Sequence, residues 1–273
     1  MYYNGTKTIY NIKLVNKMLA GIPFKPLPNT TLNEKFDINF KYKIADNEYP
    51  KLNLLVIGST DTIINPNDSE LMSRLSPHKV TDGALFNHIP FYMRKLSETE
   101  TYPPSNKLRL KKIINYKGEE YLVYYGYAIN EYEYKDDVII YSNINTDYVS
   151  VSKYNTSNDN ILFPEPSSNL NMTNDRSTYI TDFFKIYIFF TKEELNEIKN
   201  AIYVMYGDNV NNVKINELGV ASSIEVKVND EYKECLYAQM NYFIDTFMEF
   251  DKHLTDTAID FYIEVGGMEI LTQ

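Results

Sequence analysis

Two β-prone runs around a single Lys-Gly pair constrain this chain more than any other feature. Lys107–Tyr116 and Glu120–Ile129 are rich in Ile, Leu, Val and Tyr, and they flank Lys117-Gly118. Runs of this kind around a short glycine-containing loop predict a β-hairpin, which commits the middle of the chain to an antiparallel sheet. Leu52–Ile57 is a continuous apolar run ending at Gly58, the pattern of a buried strand. Phe36, Ile38, Phe40 and Tyr42 alternate with polar residues, which predicts a half-buried strand. Val138–Tyr141 and Tyr148–Val151 read as two further short strands.

Ahead of this region, Thr8–Leu19 predicts a helix. Ile12, Val15 and Leu19 fall on one stripe with Leu14 and Met18 beside it, and Gly21 is placed to end it. Pro23, Pro26 and Pro28 follow, and proline-rich backbone is extended and short of donors. The expectation is an arm, residues 1–30, that docks on a neighbouring subunit; a helix folded back on its own domain has the same pattern. Residues 154–176 are dominated by Asn, Ser, Thr, Asp and Pro, and read as a linker or interaction loop. Beyond it, Asp182–Phe190 predicts a strand. Thr191 and Glu194 then form a capping box for a helix with the stripe Leu195, Ile198, Ile202 and Met205, closed by Gly207. Ala221–Val228 and Ile259–Val265 read as strands. Asp230–Leu254 reads as the longest helix, with Leu236, Met240, Phe243, Phe247 and Phe250 on one face. The expected fold is α+β: an N-terminal helix and proline-rich arm (1–44), a mostly antiparallel β-rich domain (45–155), a polar linker (156–177) and a smaller mixed α/β unit (178–273).

Composition narrows the function. The chain carries a net charge of −10, the opposite of the balance needed to grip phosphates, so nucleic-acid binding is disfavoured. A single cysteine, Cys235, excludes an intramolecular disulfide framework. No run approaches the roughly 18 apolar residues of a membrane span. The opening MYYNGTKTIY lacks a basic region followed by an apolar one, so no signal peptide is expected and the chain is placed in the cytoplasm where it is made. There are 25 tyrosines and no tryptophan, and the abundance of Asn, Ile, Lys and Tyr points to AT-rich codons.

Motifs for chemistry are sparse. His78, His88 and His253 lack zinc-ligand spacing, and a lone histidine beside a turn is usually a structural hydrogen-bonder. Gly58-Ser59-Thr60 lacks the lysine and second glycine of a phosphate loop. No Gly-x-Ser-x-Gly turn occurs. Glu119-Glu120 and Asp136-Asp137 are neighbours on strands and point to opposite faces, while Glu193-Glu194 is explained by capping. Cys235 on an apolar face reads as a small hydrophobe. Lys107, Arg109 and Lys111 share one strand face, read as a solvated face beside Glu119 and Glu120. The tyrosines of the hairpin, Tyr116 to Tyr134, read first as sheet packing, then as a subunit interface or a sugar-binding surface. No catalytic, cofactor-binding or metal-binding set is implied, and no cofactor.

Several of these stretches together resemble a known group. PKLNLLVIGS, SPHKVTDGALFNHIPFYMRK and KLRLKKIINYKGEEYLVYYGYAI, followed by ELGVASSIEV, CLYAQMNYF and VGGMEIL, are similar to virion structural proteins of large tailed bacteriophages. The matching positions are Gly58, His78, Thr81, Asp82, Pro90, Phe91, Arg94, Arg109, Tyr124 and Tyr125. The resemblance implies a non-enzymatic virion subunit of the tail or baseplate, with a head–tail connector or neck ring subunit as the alternative and a carbohydrate- or receptor-binding module as a further one. It implies other virion proteins as partners, several copies in a symmetric assembly, and no membrane.

Overall fold

The computed structural model describes residues 5–38, 41–59, 78–98, 105–129, 132–145, 148–153, 178–207, 215–229, 232–248, 257–263 and 269–270. In chain order the elements are β1 (Gly5–Lys7), α1 (Ile9–Ala20), α2 (Leu32–Lys35), β2 (Lys51–Gly58), β3 (His88–Ile89), β4 (Tyr92–Lys95), β5 (Leu108–Tyr116), β6 (Glu119–Ala128), β7 (Tyr132–Asn145), β8 (Tyr148–Lys153), β9 (Thr178–Phe190), α3 (Lys192–Tyr206), β10 (Ile215–Lys227), β11 (Lys233–Met248), β12 (Thr257–Ile263) and β13 (Glu269–Ile270). The architecture is α+β with mostly antiparallel sheets.

The chain divides into two units, Met1–Asn130 with Phe190–Thr257, and Glu131–Phe189 with Ala258–Gln273. This division does not follow the consecutive domains 45–155 and 178–273 expected from sequence. β10 pairs with β2 across more than 150 residues of chain, while β7 and β8 pair with β9 and with each other. The expected linker 156–177 lies outside the described residues. In the second unit the strand order is β12-β9-β7-β8, with β13 also on β9.

The first unit holds an eight-stranded sheet in the order β1-β11-β10-β2-β6-β4, with β3 on β2 and β5 on β6. The β5–β6 hairpin forms as expected, turning at Lys117-Gly118, both at positive φ (52° and 84°). β3 and β4 border β2 and then β6, so the Pro90-Phe91 step carries the chain from one strand's edge to the next. The sheet curls until β5 approaches β11. Inside the curl lie Leu54, Val56, Leu110, Ala221, Cys235, Ala238, Met240 and Phe243, plugged by Leu32 and Leu85. Each of the Leu, Val, Met and Phe side chains among them, fully buried, contributes about 1.5–3 kcal/mol.

Within the segment expected as the longest helix, Asp230–Leu254, residues Lys233–Met248 form β11 instead; 230–231 and 249–254 lie outside the described residues. The register with β10 slips between Leu236 and Gln239 and again between Met240 and Tyr242. A bulge adds one residue to one strand, so inward positions fall three apart instead of two. Cys235, Ala238, Met240 and Phe243 therefore face one core at spacings that imitate a helix. Tyr237, at the first slip, has φ 54°. The strand expected from Phe36, Ile38, Phe40 and Tyr42 does not form at Phe36, Ile38 or Tyr42 either, and Phe40 lies outside the described residues. Thr31 and Glu34 make a full capping box for α2, Phe36 caps its end, and residues 41–45 have no regular structure. Phe36 and Ile38 still pack on the core, but from a turn.

The N-terminal arm belongs to its own unit. β1 pairs with residues 242–244 of β11. Thr8 caps α1 by accepting from Asn11 N, and its hydroxyl donates to Met240 O at 2.6 Å, fully buried. Thr31 bridges to Gln239, and the Asn33 amide donates to Cys235 O and accepts from Ala238 N, satisfying the bulge. α1 buries Tyr10, Asn11 and Leu14; Ile12 and Leu19 of the expected stripe are exposed, Leu19 at 83%, as is Met18 beside it. Gly21 ends the helix in the left-handed region as expected. α3 also forms as expected, with Leu195, Ile198, Ala201 and Ile202 buried and Asn200 donating to Met93 O on β4.

A chain beginning at Thr31 loses β1, the Thr8 cap and the Asn11–Asn241 contact, and bares part of the β11 edge. Its thermal melt, followed by circular dichroism, is expected to shift down by roughly 5 °C or more, since about 1 kcal/mol moves a domain of this size by about 2–4 °C. An unchanged melt would show that the segment is an appendage.

Candidate functional site

Chemistry-bearing side chains gather at two places in the first unit. The first is the end of β2. Glu217, Gly58 and His88 are aligned across β10, β2 and β3, and directly opposed residues share a face. Gly58 leaves room between the other two: a Cβ there would lie 2.6 Å from Asn87 O and 2.8 Å from Glu217 Oε2. His78 completes the group. Its Nδ1 is 3.2 Å from Asp82 Oδ2 and its Nε2 is 3.6 Å from Glu217 Oε1. The ring stacks between Phe86 at 4.2 Å and Phe243 at 3.9 Å. Glu217 Oε2 accepts from Phe86 N, and Lys79 N donates to Asp82 Oδ2. His88 accepts at Nε2 from Leu85 N and meets Phe36 edge-on. Burial, then Lys35 and His78, push the His88 imidazole down to about 3, so it is neutral.

The second place is where β10 turns into β11. Glu234, 1% exposed, accepts from Leu110 N (2.6 Å), Cys235 N (2.8 Å) and Lys111 N (3.0 Å), and from the Tyr232 hydroxyl. It is the tie between β5 and β11. Beside it, the buried Arg109 donates through Nε and Nη2 to Glu225 and through Nη1 to Asn106 O and Leu108 O. Burial would raise the Glu225 carboxyl, but hydrogen bonds from Lys233 and Arg109 hold it below its ordinary value. Burial pushes the Cys235 thiol up to about 12, as an inert core residue requires.

The positions singled out in the sequence are therefore mostly packing residues. Arg94 makes a two-pronged pair with Glu197 of α3. Phe91 packs on Tyr127 and Phe190. Pro90 is buried, Thr81 O accepts from the Tyr10 hydroxyl, Tyr124 contacts Tyr92 and Tyr232, and Tyr125 stacks on Phe36 at 4.0 Å. The basic face expected to be solvated is so at Lys111, which is exposed, but not at Arg109. Arg109 is 2% exposed, while Lys107 and Lys111 lie over the rings of Tyr127 and Tyr232. His78 and His88 come together at the end of β2. Glu217 and Glu234 carried no sequence signal beyond being charged residues within apolar runs. A carboxylate in such a run is buried only when donors meet it, and those donors come from distant strands. A pocket of about 220 Å³ lies between the start of α3 and Phe91, Leu108 and Tyr127, but Glu194 and Glu197 on its wall are already paired within the fold. Among the described residues no group of three or more His, Cys, Asp or Glu side chains is placed to hold a metal ion, and no helix is long and apolar enough to cross a membrane.

Two outcomes follow from the buried groups. Glu234→Ala strands three backbone donors and unties β5 from β11; chemical denaturation is expected to show a loss on the order of 3 kcal/mol, as for buried hydrogen bonds to a charge. His88 contributes stability in full above its ordinary value of 6.5, and loses it as pH falls toward its folded value of about 3, because only the unfolded chain takes up the proton. Denaturation midpoints measured from about pH 6.5 to about pH 5.5, above the carboxylate range, should fall in the native chain and flatten in His88→Gln.

Neither the curated proteins nor the solved structures include a match to this chain. Residues 3–273 match the family of unknown function DUF7208, and the chain belongs to that family.

Proposed function

We propose that this protein is a non-enzymatic structural subunit of a tailed-phage virion, a tail or baseplate component that acts through contacts with other virion proteins. The observation that carries this reading is the outward side of α1. Ile9, Ile12, Met18 and Leu19, with Ile22 just past the cap, are exposed, while the opposite side of the helix is pinned to β11. Ile9, Ile12, Ala20 and Ile22 line a shallow groove edged by Lys13, Asn16 and Lys17. A row of apolar side chains kept at the surface on a rigid mount marks a contact face. The resemblance to virion structural proteins agrees with it, because the residues that carry the resemblance act here as packing residues. The burial of Tyr121, Tyr124 and Tyr127 in the hairpin favours this reading over the sugar-binding alternative.

Mass spectrometry of purified particles of the encoding phage is expected to find the chain in several copies per particle. Its absence from the particle would overturn the reading. Copies adjoining sheath and tube proteins in crosslinks place it in tail or baseplate, and copies adjoining the portal place it in the neck. The double variant Ile12→Asp, Leu19→Asp is expected to fold with near-native stability, as exposed substitutions cost no more than about 0.5 kcal/mol, while particle assembly drops.

A further inference from the structure

We propose that the outer edge of β5, between Lys111 and Lys117, takes up an extended segment of another protein as an added strand, one that is acidic at both ends and uncharged between. The surface is separate from α1, and the inference does not rest on the virion reading. It starts from which way the β5 backbone points. In an antiparallel ladder, successive residues turn their N–H and C=O alternately toward one neighbour and the other. Tyr124 O accepts from Phe91 N, so this residue of β6 is turned toward the β4 side. Lys111 is its partner on β5 and is therefore turned away from β6; its N–H does go outward, to Glu234. The same alternation turns Ile113 and Asn115 outward, opposite Leu122 and Glu120. Beyond Lys111 this side of β5 meets no strand among the described residues. The side chains agree: Ile113 is 48% exposed, and Asn115, Lys117 and Gly118 are exposed.

Elsewhere in the first unit long edges are covered. The N-terminal chain lies along β11, and Asn200 of α3 donates to Met93 O on β4. On β5 the cover stops with Glu234, which leaves the N–H and C=O groups of Ile113 and Asn115 in the pattern that an added strand bonds. Charge decides what that strand is. Lys111 and Lys117 stand at the two ends of the open run, each ammonium over a tyrosine ring, Tyr232 at 5.8 Å and Tyr116 at 4.9 Å. Neither has an acidic partner among the described residues, whereas Lys112 is paired with Asp37. A second copy, in the antiparallel register that bonds Ile113 to Asn115 both ways, sets Lys111 of one copy against Lys117 of the other. Like charges directly opposite are unfavourable. A foreign segment with an acid at each end meets both cations instead. Between them, Ile113 suits a β-branched or aromatic neighbour, and Glu120, level with Asn115 on β6, disfavours a further acid there.

The probe is a peptide as long as residues 111–117, with glutamate at each end and alternating valine and threonine between, titrated into the ¹⁵N-labelled full chain. The Ile113 and Asn115 amides are open in the free chain, whereas those of Lys112, Ile114 and Tyr116 are turned to β6. With peptide at about ten times its dissociation constant, exchange of the Ile113 and Asn115 amides is expected to slow about tenfold, while their three neighbours change little. A peptide with lysine at each end should bind about five- to tenfold more weakly at low salt, the size expected when two exposed attractions become repulsions. In the double variant Lys111→Gln, Lys117→Gln, which alters exposed side chains alone, the two peptides should bind within about twofold of each other. The proposal is overturned by no slowing at Ile113 and Asn115, by a lysine peptide that works equally well, or by a glutamate preference that survives in the double variant. Slowing that grows with the concentration of the chain alone, the mark of a second copy on this edge, overturns it too.

Discussion

A strand of sixteen residues at the edge of a sheet is the constraint around which the first unit is arranged. β11 pairs with β10 on one side along almost its whole length. Left alone, its other side would be a row of unpaired N–H and C=O groups, a template for the next chain that comes along. The N-terminal chain covers that side in three different ways. β1 supplies a short ladder, Thr31 a single bridge, and Asn33 a side-chain amide that reaches both a carbonyl and an N–H at the bulge. A regular strand could not have done this throughout, because the bulges turn the β11 backbone away from a straight register. The proline-rich passage between α1 and α2 fits the same logic: it needs no ladder partner, so it can cross from one covered stretch to the next.

Curling the sheet sets a second demand. β5 must meet β11 without a continuous ladder between them, which leaves backbone donors on β5 to be satisfied. Glu234 does this with one side chain, taking two donors from β5 and one from its own strand. A buried carboxylate left unpaired costs several kcal/mol, but one that collects this many donors becomes a specific tie. Leu110, which gives one of those donors, sits at φ 56° with its side chain against the place where a Gly126 Cβ would be. That backbone strain is local, and the Glu234 bond and the fully buried leucine hold it in place.

What was legible in the sequence follows from which signals are local. The hairpin, the Thr191–Glu194 capping box, the Gly21 stop and the buried run before Gly58 all depend on residues near one another, and all are present. β11 was misread because its bulges turn a period of two into spacings of three, and nothing local distinguishes that from a helical stripe. Phe36 and Ile38 alternate like a strand, but Thr31 and Glu34 cap a helical turn just before them and the apolar pair enters the core from its end. The arm was legible as a helix and strap, while its attachment was not, since Thr8, Asn11 and Asn33 bond to residues more than 200 positions away. The candidate site divides in the same manner. His78, Asp82 and His88 lie within eleven residues, so one loop suffices to bring them together. Glu217, the group that makes the arrangement unusual, arrives from β10.

Gly58 shows why packing and chemistry are hard to separate here. It ends a buried strand, as its sequence context says, and a side chain there would strike the Asn87 backbone, the Glu217 carboxylate and Leu85 at once. The absent side chain is thus what admits a carboxylate and two imidazoles to the end of an apolar sheet. Ordinary core filling at that point would remove the polar group altogether and with it the acceptor for Phe86 N. Retaining Glu217 costs desolvation that an apolar residue would not incur. The fold accepts this cost and keeps an acceptor for Phe86 N within the 78–88 loop, whose Val80 and Thr81 carbonyls hold the first turn of α1.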